Sequence, residues 1–440
     1  MTMDASQIRA TLQKARECHG LSTSEADALL SLPEEWDAEL FARAREVKDK
    51  IYGKRVVLFA PLYISNYCSN SCLYCSFRME NSALKRVHLT QDEIRAEAEH
   101  LIKMGHKRVL LETGEDDAST LTYVLKAINT IYGASVDGHS IRRINVNIAA
   151  TSTENYRLLK RANIGTYQLF QETYHEPTYR QMHPAGPKSD YLYHLGAMER
   201  ALDGGLDDYG LGVLFGLYDY RYEVRALLDH AEHLKKSKGI GPHTISVPRL
   251  RPAKGADYPL NHLLTDAQFA RVVAILRLAV PYTGIILSTR ESPTMRDFLL
   301  DVGVSQISAA SVTTPGGYAG TGDADAGQFT GADHRSLNEC VDSIISRGYV
   351  PSFCTGCYRH QRTGSEFMHL AEKGHIKEFC QVNAILTLAE FVAAFGAEST
   401  RLAANGQWEA WLRQIPDPKL REQTRLDLAA VVMGERDKYV

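Results

Sequence analysis

Between about residues 56 and 311, short runs of β-branched and apolar residues alternate with longer stretches whose apolar positions recur every three to four residues. The short runs read as strands and the longer ones as helices. Eight strands are predicted, over 56–64, 108–113, 144–149, 166–172, 210–215, 244–250, 284–289 and 305–310. The helices between them carry their own punctuation. Thr90 with Glu93 makes a capping box, Gly105 stands where a helix-ending glycine belongs, and Thr265 opens another apolar-periodic run. Eight βα units in succession predict an α/β fold of the (β/α)8 TIM-barrel type, although an open doubly wound sheet has the same alternation.

The flanks read differently. Residues 1–52 form an N-terminal helical extension, with Ser22 and Glu25 as a second capping box; 53–332 form the barrel; 333–440 form a mostly helical C-terminal domain. The Gly-, Asp-, Ala- and Thr-rich stretch 316–331 reads as a loop. Fifty Lys and Arg balance 53 Asp and Glu to a net charge of −3 with no dense basic run, which argues against nucleic-acid partners. The N-terminus lacks the basic and apolar regions of a secretory signal, and no apolar run approaches a bilayer span, so a cytoplasmic protein with no membrane partner is expected.

Cysteine placement changes the picture. In a cytoplasmic chain eight cysteines are expected to be metal ligands, catalytic groups or core fillers rather than disulfides. Cys18 and Cys340 stand alone in stretches that read as helix and are expected to be small buried apolar residues. The other six fall into two trios. Cys68, Cys72 and Cys75 follow the first strand directly, on the loop at the C-terminal face where barrel active sites lie. Three thiolates in eight residues can hold three corners of a 4Fe-4S cube and leave one iron open, whereas a structural zinc needs a fourth ligand.

With Tyr74 before its last cysteine, this CxxxCxxC loop resembles the defining motif of radical S-adenosylmethionine (SAM) enzymes. The resemblance implies that SAM chelates the open iron and is cleaved to methionine and a 5′-deoxyadenosyl radical. It also implies that Gly114 and Glu115, after the second strand, match the segment that binds the methionyl amine, although Thr113 replaces that segment's first glycine. Glu172, at the end of the fourth strand, is a second candidate acid facing the cavity. His194 and Arg200, on the next helix, are candidate partners for the SAM carboxylate.

Cys354, Cys357 and Cys380 make the second trio, and spacing alone admits an iron-sulfur cluster or a Cys3His zinc site closed by His360, His369 or His375. This trio, together with the segments 58–68, 168–175, 241–249 and 285–293, resembles the HydG family of radical SAM tyrosine lyases that mature FeFe-hydrogenase. The likeness runs from about residue 50 to 395. It implies an auxiliary 4Fe-4S cluster with an additional labile iron ligated by His243, and substrate-carboxylate binding by Arg290. It further implies cleavage of the Cα–Cβ bond of L-tyrosine to p-cresol and dehydroglycine, conversion of the latter to CO and cyanide, an electron donor such as ferredoxin or flavodoxin, and hydrogenase maturation proteins as partners. Both trios are expected at the mouth of one cavity.

Two departures bear on the substrate: the resemblance leads one to expect a glycine near Ala310 and an arginine near Val312. A divergent amino-acid lyase is therefore an alternative. The tyrosine lyase of thiamin biosynthesis is another, but it lacks the second trio. A zinc-stabilised, non-enzymatic scaffold is the reading from a different class.

Overall fold

The structure, a computed structural model, describes residues 4–256, 258, 260–323, 326–359 and 362–440. All eight predicted strands are present: Arg55–Ser65 (β1), Arg108–Thr113 (β2), Arg143–Asn147 (β3), Tyr167–Gln168 (β4), Tyr209–Gly212 (β5), Thr244–Ser246 (β6), Gly284–Leu287 (β7) and Gln306–Ser308 (β8). Each pairs in parallel with the next, and β1 pairs with both β8 and β2, which closes the sheet into a barrel and removes the doubly wound alternative. A ninth strand, Val350–Ser352 (β9), was not predicted; it pairs in parallel with Arg55–Val57 at the lower end of β1.

Several strands are shorter than their apolar runs. In the fourth, Glu172 adopts φ +66°, which takes the backbone out of extended geometry and leaves only an isolated bridge to Val213. The caps stand as predicted: Thr90 and Glu93 form a reciprocal box at Gln91–Met104, Gly105 ends that helix at φ +102°, and Thr265 caps Asp266–Ala279. Ser22 and Glu25 do the same for Thr23–Leu30, one of the helices of the N-terminal extension. Cys340 is buried in Leu337–Ser346, but Cys18 is a half-exposed turn residue at φ +65° beyond the first helix, not a core filler.

One continuous apolar core runs from Leu12 and Leu29 in the N-terminal helices, through Val109 and Ile245 in the barrel, to Phe391 and Trp411 in the C-terminal helices. Contrary to the expectation from the sequence, the helix Ile376–Phe395 is apolar and long enough to cross a membrane; 67% of its most apolar window is buried in the protein. Inside the barrel, alternation along the strands stacks side chains in layers. Phe59, Leu110 and Ile286 form a small apolar cluster of their own. Pro61, Tyr63, Glu112 and Ser288 line a cavity above it, whereas Val57, Arg108 and Gln306 line a second pocket below.

Candidate functional site

The upper cavity opens at the C-terminal ends of the strands, with about 1480 Å³ of empty space when the part open to solvent is included. Cys68, Cys72 and Cys75 all line it. Their loop is held from two sides by glycines that no other residue could replace. A Cβ on Gly114 would lie 2.1 Å from Tyr67 O, and one on Gly186, at φ +94°, would lie 2.6 Å from Ser69 O. Backbone bonds complete the grip: Ser69 N donates to Glu115 O (2.8 Å), Ser71 N to Ala185 O (3.0 Å) and Leu73 N to Met182 O (3.0 Å).

Around the trio, Asn70 Nδ2 donates to Glu115 Oε2 at 2.7 Å and lies 3.7 Å from Cys68 Sγ. Burial lifts the thiol of Cys75 to about 11 and pushes that of Cys72 higher still. Thiols so placed ionise readily only when a metal supplies the compensating charge. Tyr74 also lines the cavity, and its hydroxyl is hydrogen-bonded to His183 Nε2 (2.8 Å).

The remaining candidates are distributed as follows. Glu172 and His194 line the cavity, as do Gly114 and Glu115. Glu172 is paired with Lys188 at 2.7 Å. His194 Nε2 is bonded to Phe170 O at 2.8 Å, and burial lowers its pKa to about 3, so it is a neutral imidazole. Arg200 does not line the cavity; it donates to Thr151 O (3.0 Å) and Tyr193 O (2.6 Å). Arg290 does line it, with its guanidinium 3.5 Å above the ring of Phe329. Its neighbour Glu291 is bound instead by Arg249 and Arg251.

Two cavity residues escaped the sequence reading. Lys188, beside Glu172 and Cys72, sits on a short turn that no periodicity marks. Glu112 had a signal: it lies two residues beyond Leu110 on β2 and therefore shares its inward face. Burial raises Glu112 to about 7, opposed by the neighbouring Tyr63 phenol and by the charge of Arg290.

The second trio is not at this cavity. Cys354, Cys357 and Cys380 line the lower pocket, at the N-terminal ends of the strands, so the expectation of one shared mouth is wrong. The reason is β9, which docks on the first residues of β1 and delivers Cys354 and Cys357 to the barrel floor, where Cys380 of Ile376–Phe395 meets them. Gly356 N donates to Cys354 Sγ at 3.2 Å, and Arg108 Nη2 donates to Cys354 O at 2.8 Å. Burial opposes the charge of Arg55, yet the nearby thiols and Tyr52 outweigh it and raise its pKa.

His243 also lines this pocket. Its Nδ1 is 3.4 Å from Asp208 Oδ1, and neither atom has a hydrogen-bond partner among the described residues. Burial lowers the pKa of His243, leaving the neutral imidazole that metals bind. His369 and His375 are exposed and do not line the pocket, and His360 lies outside the described residues. Among the described residues, no three of His, Cys, Asp and Glu are drawn together around a single ion. In an iron-sulfur cluster each cysteine sits on its own iron, an arrangement that needs no such convergence on one ion.

Comparison with known proteins bears on both sites. Residues 62–235 match the Radical SAM superfamily and 246–350 the Biotin and Thiamin Synthesis associated domain. The 2-iminoacetate synthase of Salmonella typhimurium is 32% identical over 345 residues, covering 78% of this chain and 89% of that protein. The crystal structure of HydG, a maturase of the [FeFe]-hydrogenase, superposes with a TM-score of 0.96 at 48% identity, over 100% of this chain and 96% of that one. HydG from Carboxydothermus hydrogenoformans gives 0.84 at 43%, over 96% and 94%.

Proposed function

Because the chain belongs to the radical SAM superfamily and, within it, to the HydG family of tyrosine-lyase-type enzymes, we propose that it cleaves L-tyrosine to p-cresol and dehydroglycine. A second cluster, held by Cys354, Cys357 and Cys380, would supply the chemistry that turns the latter fragment into CO and cyanide for hydrogenase maturation. When bound at the upper trio, a 4Fe-4S cluster and SAM supply a 5′-deoxyadenosyl radical. The protein's own residues do the rest. Glu115, held by Asn70, and Gly114 would receive the methionyl amine, and the partly buried Lys188–Glu172 pair beside Cys72 would orient the polar parts of SAM. Arg290, which has no ion pair among the described residues, offers its guanidinium to the substrate carboxylate, and the apolar floor of Phe59, Leu110 and Ile286 receives the aromatic ring.

The observation that carries the second half of the reading is the lower pocket, which gathers three buried or half-buried thiols and His243 on the barrel floor. An auxiliary cluster on Cys354, Cys357 and Cys380 with an additional iron on His243 fits these donors. A lyase of the thiamin pathway has no use for such a pocket. An electron donor of the ferredoxin or flavodoxin type and hydrogenase maturation proteins are the partners this reading requires, in the cytoplasm.

Anaerobically reconstituted protein given dithionite, SAM and L-tyrosine is expected to form 5′-deoxyadenosine and p-cresol. Cys354→Ala is expected to keep both and to lose CO. Undiminished CO from that variant would remove the second cluster from the scheme, and zinc without sulfide in the wild-type protein would remove the scheme altogether.

A further inference from the structure

Two charged, partly exposed side chains of the upper cavity feel each other's charge across it but have no ion-pair partner among the described residues. Glu112 closes the inward-facing row Arg108, Leu110, Glu112 of β2. In the sheet it is registered between Tyr63 of β1 and Asn147 of β3, and both of these also line the cavity. Beside it stand the Tyr63 phenol, which donates to Gln328 Oε1 at 2.9 Å, and, across the cavity, the charge of Arg290.

Arg290 is the mirror case. It enters from the end of β7, and its guanidinium rests on Phe329 with no ion pair among the described residues. The carboxylates that could have served it are committed elsewhere: Glu291 to Arg249 and Arg251, Glu172 to Lys188. Removing a charge from water without a counter-charge costs several kcal/mol, so such groups are characteristic of sites completed by a ligand. A carboxylate and a guanidinium facing one cavity are both satisfied by a ligand that carries a cation and an anion a few bonds apart.

We infer that Glu112 and Arg290 form a clamp for the zwitterionic head of a free α-amino acid, with Glu112 receiving the α-ammonium and Arg290 the α-carboxylate. This rests on the lyase reading above and adds to it a residue for the substrate nitrogen. It also gives Glu112 a step. One N–H bond of the ammonium breaks and one O–H bond forms on Glu112, leaving a neutral amine; no other reactant is needed. Burial raises the carboxyl to about 7, so at neutral pH it can take up that proton and release it again.

The test is binding to the cluster-loaded enzyme with SAM present, using three probes: L-tyrosine, 3-(4-hydroxyphenyl)propionate, which lacks the nitrogen, and tyramine, which lacks the carboxylate. Glu112→Gln is expected to weaken L-tyrosine and tyramine at least tenfold and to leave hydroxyphenylpropionate unchanged. Arg290→Gln is expected to weaken L-tyrosine and hydroxyphenylpropionate and to leave tyramine unchanged. Glu112→Gln that binds L-tyrosine as the wild type does, or that loses all three probes equally, overturns the clamp. A wild-type enzyme that takes another free α-amino acid in place of tyrosine, with the same split between the variants, sinks the tyrosine reading and upholds the clamp. One that takes no α-amino acid overturns both.

Discussion

The two ends of the barrel hold cysteine trios by opposite means. At the upper end all three thiols ride on one loop, threaded between Gly114 and Gly186 and tied down by backbone bonds. At the lower end two thiols follow β9 and the third comes from the helix Ile376–Phe395, and their surroundings are side chains: Arg55, Arg108, His243, Tyr358 and Phe367. A loop clamped by backbone keeps its shape through steric exclusion, which leaves side chains of the upper wall free to face a ligand. The lower site is shaped by charge and packing between segments far apart in sequence, so its geometry depends on the whole C-terminal region.

This contrast can be broken most forcefully at Gly114. Gly114→Ala puts a methyl 2.1 Å from a carbonyl oxygen and must displace the cysteine loop. Loss of the upper cluster and of 5′-deoxyadenosine formation is expected, while the lower cluster persists in the iron and sulfide count. Loss of both clusters together would mean that the two ends are not independent.

A second effect, on the order of 1–3 kcal/mol, concerns stability. Glu112 has a pKa raised to about 7 in the folded protein, so the native state binds this proton more tightly than the unfolded chain does. The resulting penalty is present above about pH 7 and vanishes below the ordinary carboxyl range. Glu112→Gln should therefore raise the melting temperature of substrate-free enzyme at pH 8 and leave it nearly unchanged at pH 4; an equal shift at both would contradict the assignment.

The lower end has its own handle in Asp208, whose carboxylate lies 3.4 Å from His243 Nδ1. A carboxylate behind a ligating imidazole fixes the tautomer, and its loss typically weakens metal binding 10- to 100-fold. Asp208→Asn is expected to lower the affinity for the additional iron by that factor in a chelator titration, with 5′-deoxyadenosine formation unaltered. The smallest effect is at Ala310, held at φ +49° where the HydG family leads one to expect a glycine. Relief of that strain by Ala310→Gly, set against the greater freedom of the unfolded chain, should leave a net gain of about 0.5–1 kcal/mol, measurable by denaturant unfolding.

How much of this was legible in the sequence follows from the range of the interactions. The eight strands and the capping boxes are local, and so is the upper trio, and each was readable where it stands. Lys188 was not, because its importance comes from a turn that folds back beside Cys72. The lower trio was readable as a ligand set but not as a location. Three residues of β9 decide its position by pairing with Arg55–Val57, and so short a strand leaves no periodic trace. Arg200 failed for a related reason: helical spacing gives its face, but the carbonyls of Thr151 and Tyr193 decide where its guanidinium goes.

Strand β1 runs from Arg55, beside the lower thiols, to Ser65, where the upper cysteine loop departs. At about 3.3 Å per residue its ten steps span roughly 33 Å, which makes this one strand the ruler between the two chemistries. Inserting a single residue midway would turn Pro61 and Tyr63 out of the lumen while Val57 stayed in. Inserting two would restore every side chain to its face and move the ends apart by about 6.6 Å, a way to lengthen the enzyme without changing what either end can bind.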